Sequence, residues 1–220
     1  MLGETQWQWL EDQLGHSPAD LNIVVSSIQV LTTNPLVESW GHFPHAKARL
    51  LDLLVRTRPK NLLLLSGDVH FAELLGNPPI ELTSSGMTHT CGTTFWARAC
   101  GPLIRAFPRH RRHTPSYLGR QGTGDEREWE GSGEGFFTGY NFGFVEVEGN
   151  ETTGLATVWA SALDADGAEH LRVQIPEDPT ESLIDALSAM DEQWQQGKFR
   201  LRSPTVSLSA LRACVAYVLN

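Results

Sequence analysis

The chain has 220 residues, 40% hydrophobic and 20% charged, which suits one globular domain with a sizeable core. Its formal net charge of −9 at pH 7 argues against general nucleic-acid affinity, and its apolar tail at 204–219 is shorter than the ~20 residues of a membrane span. The three cysteines match no zinc-binding spacing, although Cys91 and Cys100 can pair in an oxidising compartment.

The first part of the sequence predicts a helix followed by a strand–helix–strand unit. Residues 5–14 carry tryptophan and leucine at helical spacing, so they predict an amphipathic helix. Residues 22–30 and 61–66 are rich in Ile, Val and Leu and read as buried strands. Between them, Pro44 opens a helix at 44–57. Strands joined in this way are parallel and share one sheet.

The second strand ends in the most informative motif of the chain. The leucines at 62–65 are typical of a strand buried on both faces, and Ser66-Gly67 signals a turn. Asp68 and His70 follow one residue apart, so in an extended chain their side chains point to the same side. A carboxylate and a neutral imidazole suit a metal ion. The alternative is an ordinary Asp turn with a packed His70.

The middle of the chain combines short strands with a long loop. Residues 72–75 and 79–84 read as strands, whereas 87–139 are glycine-rich and lack a sustained strand pattern. We expect a short helix near 95–106 and a mobile loop at about 107–138, because loops of this length are usually functional or disordered.

Regular structure resumes towards the C-terminus. Strands are predicted at 141–147, 154–163 and 168–175, and the sequence Asp-Ala-Asp-Gly at 164–167 indicates a hairpin between the last two. Residues 180–195 predict a helix with one apolar side.

The sequence LLLLSGDVHFAE at 62–73 resembles the last metal-binding motif of the metallophosphoesterases and, more narrowly, that of the alkaline phosphatase D, or PhoD-like phosphatase, family. Further matches follow in the family's order and cover roughly residues 1–175. They are MLGETQWQWL at 1–10, IVVSSIQVL at 23–31, ESWGHFP at 38–44, ELTSSGMTH at 81–89 and NFGF at 141–144.

This resemblance implies an α/β fold, part of a four-layer α/β/β/α sandwich with a parallel βαβ unit, antiparallel strands and a C-terminal helix. It also implies metal-dependent hydrolysis of phosphate mono- or diesters at two metal ions. Asp68 and His70 would be metal ligands, and His70 would also be catalytic. The family suggests iron with calcium, but the sequence does not choose among these and other divalent or trivalent ions.

The resemblance also exposes a missing segment. Family members carry a long segment before the helix at 5–14, which supplies the rest of the metal site, and no Gly-Asp-x-x-Asp or Gly-Asn-His motif occurs here. We therefore expect 1–176 to be the C-terminal part of a phosphatase domain and 177–220 a helix and tail. The absent half would pack on an unpaired sheet edge and an uncovered apolar face. The alternatives are a non-catalytic fragment or binding domain, or a mononuclear site that uses His89 or Cys91.

Two further residues are candidate catalytic groups. His89 follows the strand at 79–84 and can approach the site, or it serves as a loop hydrogen bonder. Gln29 ends the strand at 22–30, on the side where Asp68 emerges. Many metallophosphoesterases place a histidine there; glutamine can orient water or phosphate but is a poor metal ligand.

Other polar and aromatic residues favour structural roles. Trp40, beside Glu38, is expected to be a packed loop tryptophan rather than a wall of the substrate site. The arginine cluster at 105–112 is expected to be a solvated loop rather than an anion-recognition site, although guanidinium groups match phosphate oxygens. The sequence suggests no converging partners for His42, His45 and His170.

Overall fold

The computed structural model of this chain describes residues 1–32, 34–76, 79–93, 97–106, 135–149, 156–178 and 215–218. In chain order, its elements are α1 Glu4–Gly15, β1 Asn22–Val25, a 3-10 helix Trp40–His42, α2 Pro44–Thr57, β2 Leu62–Ser66, β3 Ala72–Leu75, β4 Ile80–Ser84, α3 Ala97–Ala106, β5 Phe136–Phe137, β6 Asn141–Gly149, β7 Ala156–Asp164, β8 Glu169–Ile175 and β9 Val215–Val218. Within these residues, no helix is long and apolar enough to cross a membrane.

The predicted strand–helix–strand unit is confirmed. β1 and β2 are parallel neighbours, with Asn22 opposite Leu62 and Val25 opposite Leu65, and α2 connects them. Pro44 occupies the first turn of α2, where its missing N–H leaves no hydrogen bond unmade. The apolar face of α2 is buried, as the leucine spacing predicts.

The first strand is shorter than predicted. β1 ends at Val25; the Ser26 N–H still donates to the Leu65 carbonyl at 2.8 Å, and the chain then leaves the strand. The N–H groups of Val30 and Leu31 donate to the two carboxylate oxygens of Glu81, at 2.8 and 2.6 Å. A long-range side chain therefore replaces the strand ladder, and apolar composition alone could not reveal it.

The strands form two sheets. The larger has the order β5-β3-β4-β2-β1-β9, in which β2 and β4 are parallel and β3 and β4 antiparallel. The smaller is the antiparallel meander β6-β7-β8. The predicted hairpin at its second turn is confirmed, since Gly167 has φ 83° and its N–H donates to the Asp164 carbonyl at 3.0 Å.

Two apolar clusters show that the described chain has three layers. On one face of the larger sheet, Val24, Leu62 and Leu64 pack with α1 and α2. On its other face, Ile23 and Leu63 pack with the smaller sheet. Successive residues of a strand point to opposite faces, so one continuous apolar run serves both clusters. The α/β class and the parallel-then-antiparallel order were both predicted correctly.

The predictions for the sheet edge and for the later part of the chain have different outcomes. β9 pairs antiparallel with β1, Val215 lying opposite Val25, so β1 is not an edge strand of the larger sheet; the unpaired edge expected to face the absent half stays a prediction. The helix near 95–106 is confirmed as α3. Two predicted features lie outside the described residues: the loop at 107–138 as far as residue 134, and the helix at 180–195. The domain boundary at 176 stays a prediction.

Candidate functional site

The loop that follows β2 lies at the edge where three parallel strands end. A Cβ atom placed on Gly67 would lie 3.9 Å from both the Ser27 carbonyl oxygen and the Ser85 Oγ, which follow β1 and β4. The carboxyl ends of parallel strands meet at one edge of a sheet, which is where α/β proteins place their ligand sites. The structure thus puts Asp68 and His70 at this edge.

The backbone of this loop differs from the extended chain assumed in the sequence argument. Asp68 has φ 76° and His70 has φ 62°, both in the left-handed region that side chains disfavour. The spacing argument for a shared side is therefore wrong, and any convergence of the two side chains has to come from the shape of the loop. Each such residue costs about 1–3 kcal/mol, and such strain clusters at functional sites.

The structure brings His70 and His89 together. Their Nε2 atoms are 3.1 Å apart, and the ring centroids are 4.1 Å apart with 66° between the planes. The Nδ1 atom of His89 lies 3.0 Å from the Thr88 hydroxyl, which fixes the ring from its other side. His70 is half-buried and His89 is exposed, so the nitrogen pair is open to solvent. The predicted approach of His89 to this loop is therefore present.

Backbone contacts hold the two histidine loops in place. The His70 N–H donates to the Ser85 hydroxyl at 3.2 Å, and its carbonyl accepts from the Cys91 N–H at 2.8 Å. Cys91 also forms a disulfide with Cys100 of α3. This pairing, left open by the sequence, ties the His89 loop to the small apolar cluster formed by Phe71, Cys100, Ile104 and Phe136.

Asp68 is exposed, and its place as a metal ligand stays a prediction. Among the residues that the structure describes, no group of three or more His, Cys, Asp or Glu side chains lies close enough to hold a metal ion. The two imidazole nitrogens nevertheless fit such an ion, since imidazole is an ordinary ligand for zinc and iron. The residues present therefore suit a partial metal site.

Gln29 lies away from solvent in a buried polar network. It is 0% exposed, and its amide N–H₂ donates to Glu73 at 2.9 Å and to Thr83 at 3.0 Å. Its carbonyl Oε1 is buried without a hydrogen-bond partner. Thr83 also shares a hydrogen bond of 2.8 Å with Ser66 at the end of β2. A role for Gln29 in orienting water or phosphate stays a prediction, and its burial argues against it.

A buried pair of opposite charges fixes the segment 30–32, and the sequence argument missed it. Glu81 accepts the N–H groups of Val30 and Leu31, while Lys47 Nζ donates to the carbonyls of Leu31 and Thr32 at 2.9 and 3.2 Å. Burial lowers the pKa of Lys47 to about 8, although the attraction of Glu81 acts to raise this pKa. Burial also raises the pKa of Glu81. The available signal was a charged residue at an inward position of α2 and another within β4.

Other residues singled out by the sequence have structural roles or lie elsewhere. Trp40 is 2% exposed and donates its Nε1–H to the Ser26 hydroxyl at 3.0 Å, as expected for a packed tryptophan. His170 has a structural role on the β7–β8 hairpin: it hydrogen-bonds Asp164 at 2.8 Å and stacks on Phe137 at 3.7 Å, partners that the sequence did not suggest. Of the arginines at 105–112, only Arg105 lies within the described residues.

The fold and the loop at the strand ends define an α/β protein whose candidate site lies at the carboxyl edge of parallel strands. The PhoD-like phosphatase family model matches residues 1–152, so the chain belongs to this family. Alkaline phosphatase D of Bacillus subtilis (strain 168) is 31% identical over 78 residues, a match that covers 32% of this chain and 13% of that protein. A solved structure of PhoD is similar over 90% of this chain and 42% of its own, with 14% identity and a TM-score of 0.41. The chain thus spans less than half the length of these relatives.

Proposed function

We propose that this chain supplies one side of the metal site of a phosphoric ester hydrolase, of the alkaline phosphatase or phosphodiesterase type. The observation that carries the proposal is the family match over residues 1–152, which includes the loop from Gly67 to His70. The substrate is a small phosphate ester.

The placement of the residues supports this function. Asp68 and His70 lie in a loop at the carboxyl edge of the parallel strands. Both have a left-handed backbone conformation, and the His70 N–H donates to the Ser85 hydroxyl. The histidine pair offers imidazole nitrogens, and Asp68 offers exposed carboxylate oxygens. When bound, metal ions supply Lewis-acid polarisation of the phosphoryl oxygen and the positive charge that this acidic chain lacks.

The proposed complete site holds two ions, because the family resemblance implies a binuclear centre. Iron with calcium is the combination that the resemblance suggests. Imidazole nitrogen suits iron or zinc, whereas calcium takes oxygen ligands such as carboxylate. His70 and Asp68 therefore offer donors of both kinds, and metal analysis decides which ions are held.

The natural packing partner of this chain is the N-terminal half of the same fold. An apolar pocket of about 280 Å³ opens between α1 and the end of β1, and Trp9 at its rim is 45% exposed. The pocket and the exposed Trp9 offer apolar surface on which this half can pack. The pocket is lined chiefly by Leu2, Trp9, Leu10, Val24, Trp40 and Leu50.

A second candidate is a non-catalytic fragment or binding domain. The observation in its favour is that the described residues contain no three-ligand group, whereas catalytic zinc sites use about three protein ligands. The coding sequence upstream of Met1 discriminates between the two: an in-frame Gly-Asp-x-x-Asp segment supports the hydrolase, and its absence supports the binding domain.

The test is turnover with and without the upstream half. p-Nitrophenyl phosphate and bis-p-nitrophenyl phosphate are offered to the 220-residue chain and to a chain extended by the upstream coding sequence, each with Mn²⁺, Fe²⁺, Zn²⁺ or Ca²⁺. We expect little or no turnover from the short chain and clear turnover from the long one, because loss of even one oriented outer ligand partner costs about 10- to 100-fold.

Matched variants locate the site in the extended chain. Asp68→Ala and His70→Ala are expected to lower turnover by at least about 100-fold, since each removes a direct ligand. Asp12→Ala and His16→Ala, at exposed positions of α1 and its C-terminal end, are expected to leave turnover unchanged. Undiminished turnover of the Asp68 and His70 variants would contradict the proposed site, and robust turnover by the short chain would contradict the half-site.

A further inference from the structure

We propose that Gln29 is a positioning residue of the candidate site: its buried side-chain amide holds together the strand ends that carry the loops at 67–71 and 85–89. The inference deepens the proposed function and rests on it for the catalytic use of these loops. It assigns Gln29 a role that acts through Glu73 and Thr83, away from the reacting atoms.

The loop at 67–71 crosses over the end of β4. In the larger sheet β4 lies between β2 and β3, so the chain leaves β2, passes the end of β4 and returns as β3. Ser66 lies opposite Thr83 on one side of β4, and Glu73 lies opposite Thr83 on the other side. These three residues form a row across the sheet directly beneath the crossing loop. The contacts of this row therefore set the span between the two ends of the loop, about 10 Å for two strand spacings.

Gln29 binds this row through both protons of its amide. Its N–H₂ donates to Glu73 at 2.9 Å and to Thr83 at 3.0 Å, and the Thr83 hydroxyl shares a hydrogen bond of 2.8 Å with Ser66. Burial raises the pKa of Glu81, whereas a hydrogen bond from Ser66 acts to lower it, so the hydroxyl proton of Ser66 points to Glu81. Thr83 must then donate to Ser66, because a serine hydroxyl has one proton.

The hydrogen bonds run in one direction, from Gln29 through Thr83 and Ser66 to Glu81. Hydrogen bonds that follow one another in this way polarise and strengthen each other. Glu81 in turn accepts the N–H groups of the two residues that directly follow Gln29, at 2.8 and 2.6 Å. Both ends of the chain of hydrogen bonds are therefore anchored on the same short segment, and loss of the Gln29 amide opens it.

The backbone that carries Gln29 is itself held in place. The Gln29 carbonyl accepts the Trp40 N–H at 2.9 Å, and the indole N–H of Trp40 donates to the Ser26 hydroxyl at 3.0 Å. The amide therefore reaches the row from a fixed position. Supporting groups that are locked in this way hold the geometry of a site before a substrate binds.

The other atom of the Gln29 amide indicates what the residue is for. Among the described residues, its carbonyl Oε1 is buried without a hydrogen-bond partner. An unpaired buried carbonyl costs free energy, and an apolar side chain of similar length would avoid that cost. Stability alone therefore does not account for a glutamine here, whereas its two donors do. Since Gln29 is 0% exposed, it acts on the site through its partners.

The row connects directly to the contacts that hold the histidine loops. Ser85 follows Thr83 by two residues, and its hydroxyl accepts the His70 N–H at 3.2 Å. The His70 carbonyl accepts the Cys91 N–H at 2.8 Å. Both contacts join the loop at 67–71 to the chain that leaves β4, so they depend on how β2, β3 and β4 end relative to one another.

The first test compares Gln29→Met with Gln8→Met in the 220-residue chain by amide hydrogen exchange. Methionine keeps the length of glutamine but donates no hydrogen bond, and Gln8 is exposed on α1. In Gln29→Met we expect the His70 and Cys91 N–H groups to exchange at least about tenfold faster relative to the amides of the central strand β7, because unpaired buried groups favour local opening. Gln8→Met is expected to leave this ratio unchanged.

A second pair of variants tests the same chain of hydrogen bonds without changing Gln29. Thr83→Val removes the hydroxyl but keeps the β-branched shape, whereas Thr83→Ser keeps the hydroxyl. We expect Thr83→Val to raise the relative exchange of the His70 and Cys91 amides and Thr83→Ser to keep the original rates. This comparison holds even if Gln29→Met does not fold.

Kinetics of the extended chain separate positioning from contact with the substrate. Gln29→Met is expected to lower kcat at least about tenfold, as for other outer partners of a site, and to leave KM unchanged. Gln8→Met is expected to change neither constant.

Three results would overturn the inference. They are an unchanged exchange ratio in folded Gln29→Met, equal exchange ratios in Thr83→Val and Thr83→Ser, and a rise in KM with intact kcat in the extended Gln29→Met chain. If the original extended chain shows no turnover, the proposed function alone is contradicted, and the exchange ratios still decide the role of Gln29.

Discussion

Replacing Lys47 by methionine tests how the segment 30–32 that follows β1 is held. Lys47 is 4% exposed, and its Nζ donates to the carbonyls of Leu31 and Thr32. Methionine keeps the length and apolar stem of lysine but donates no hydrogen bond. The variant therefore leaves the buried Thr32 carbonyl and the half-buried Leu31 carbonyl without their donor, and it removes the positive charge that interacts electrostatically with the buried Glu81 carboxylate.

The expected loss of stability follows from these contacts. A buried acceptor left without a partner costs about 1–3 kcal/mol. Removal of one member of a buried charge pair costs about 3–5 kcal/mol in all, because the other charge stays buried. We therefore expect Lys47→Met to lower the free energy of unfolding by about 3–5 kcal/mol, a large share of the ~5–15 kcal/mol that a domain has.

Urea unfolding followed by circular dichroism measures this loss. Lys60→Met is the matched control, because Lys60 is exposed and contributes only its backbone carbonyl to the bond with Asn22; its effect is expected to stay within about 0.5 kcal/mol. In the double variant Lys47→Met/Glu81→Gln, the loss is expected to be about 1–3 kcal/mol smaller than the sum of the single losses, because the partners are coupled. A loss below about 1 kcal/mol for Lys47→Met would refute the reasoning.

The stability gap between the original chain and Lys47→Met also depends on pH. Burial lowers the pKa of Lys47 to about 8, below that of an unfolded lysine. As pH rises from about 8 to about 10.4, the folded chain has already released this proton while the unfolded chain still holds it, so the free energy of unfolding of the original chain rises. The variant lacks this titration, so the gap widens by up to about 3 kcal/mol.

Two further substitutions test the surroundings of the histidine loops. The double variant Cys91→Ser/Cys100→Ser is expected to lower the free energy of unfolding by about 2–3 kcal/mol, because the disulfide closes a short loop. The disulfide is absent if all three cysteines of the original chain react with a thiol reagent after unfolding without a reducing agent. Gly86→Ala places a Cβ 2.0 Å from Asn141 Nδ2 and is expected to cost about 1–3 kcal/mol. Gly149→Ala meets nothing within 4 Å, so equal losses in urea unfolding for these two variants would contradict the packing described at Gly86.

Local sequence patterns were sufficient for most of the larger elements. The strand–helix–strand unit, the hairpin at 164–167 and the apolar face of α2 all appear in the structure as predicted. Each depends on residues close in sequence, through apolar period, turn residues or a proline in the first helical turn. The resemblance of the motif around Gly67 likewise pointed to the family that the comparison over 1–152 supports.

The geometry of the candidate site required long-range contacts that local patterns do not encode. His70 and His89 are 19 residues apart in sequence, and they meet because the loops after β2 and β4 leave the same edge of one parallel sheet. Within the segment that was predicted to continue β1, the N–H of Val30 donates to Glu81, which is 51 residues away in sequence. The left-handed φ of Asp68 and His70 removed the extended spacing on which the sequence argument relied.

The sequence by itself determined most of the larger helices and strands, because burial of an apolar face at a fixed period is a local requirement. The tertiary structure alone decided which polar groups meet at the strand ends. Most buried donors and acceptors are satisfied by whatever partner lies near them in space, so the Gln29 amide donates to Glu73 and Thr83, and Lys47 and Glu81 both bind the short segment that follows β1.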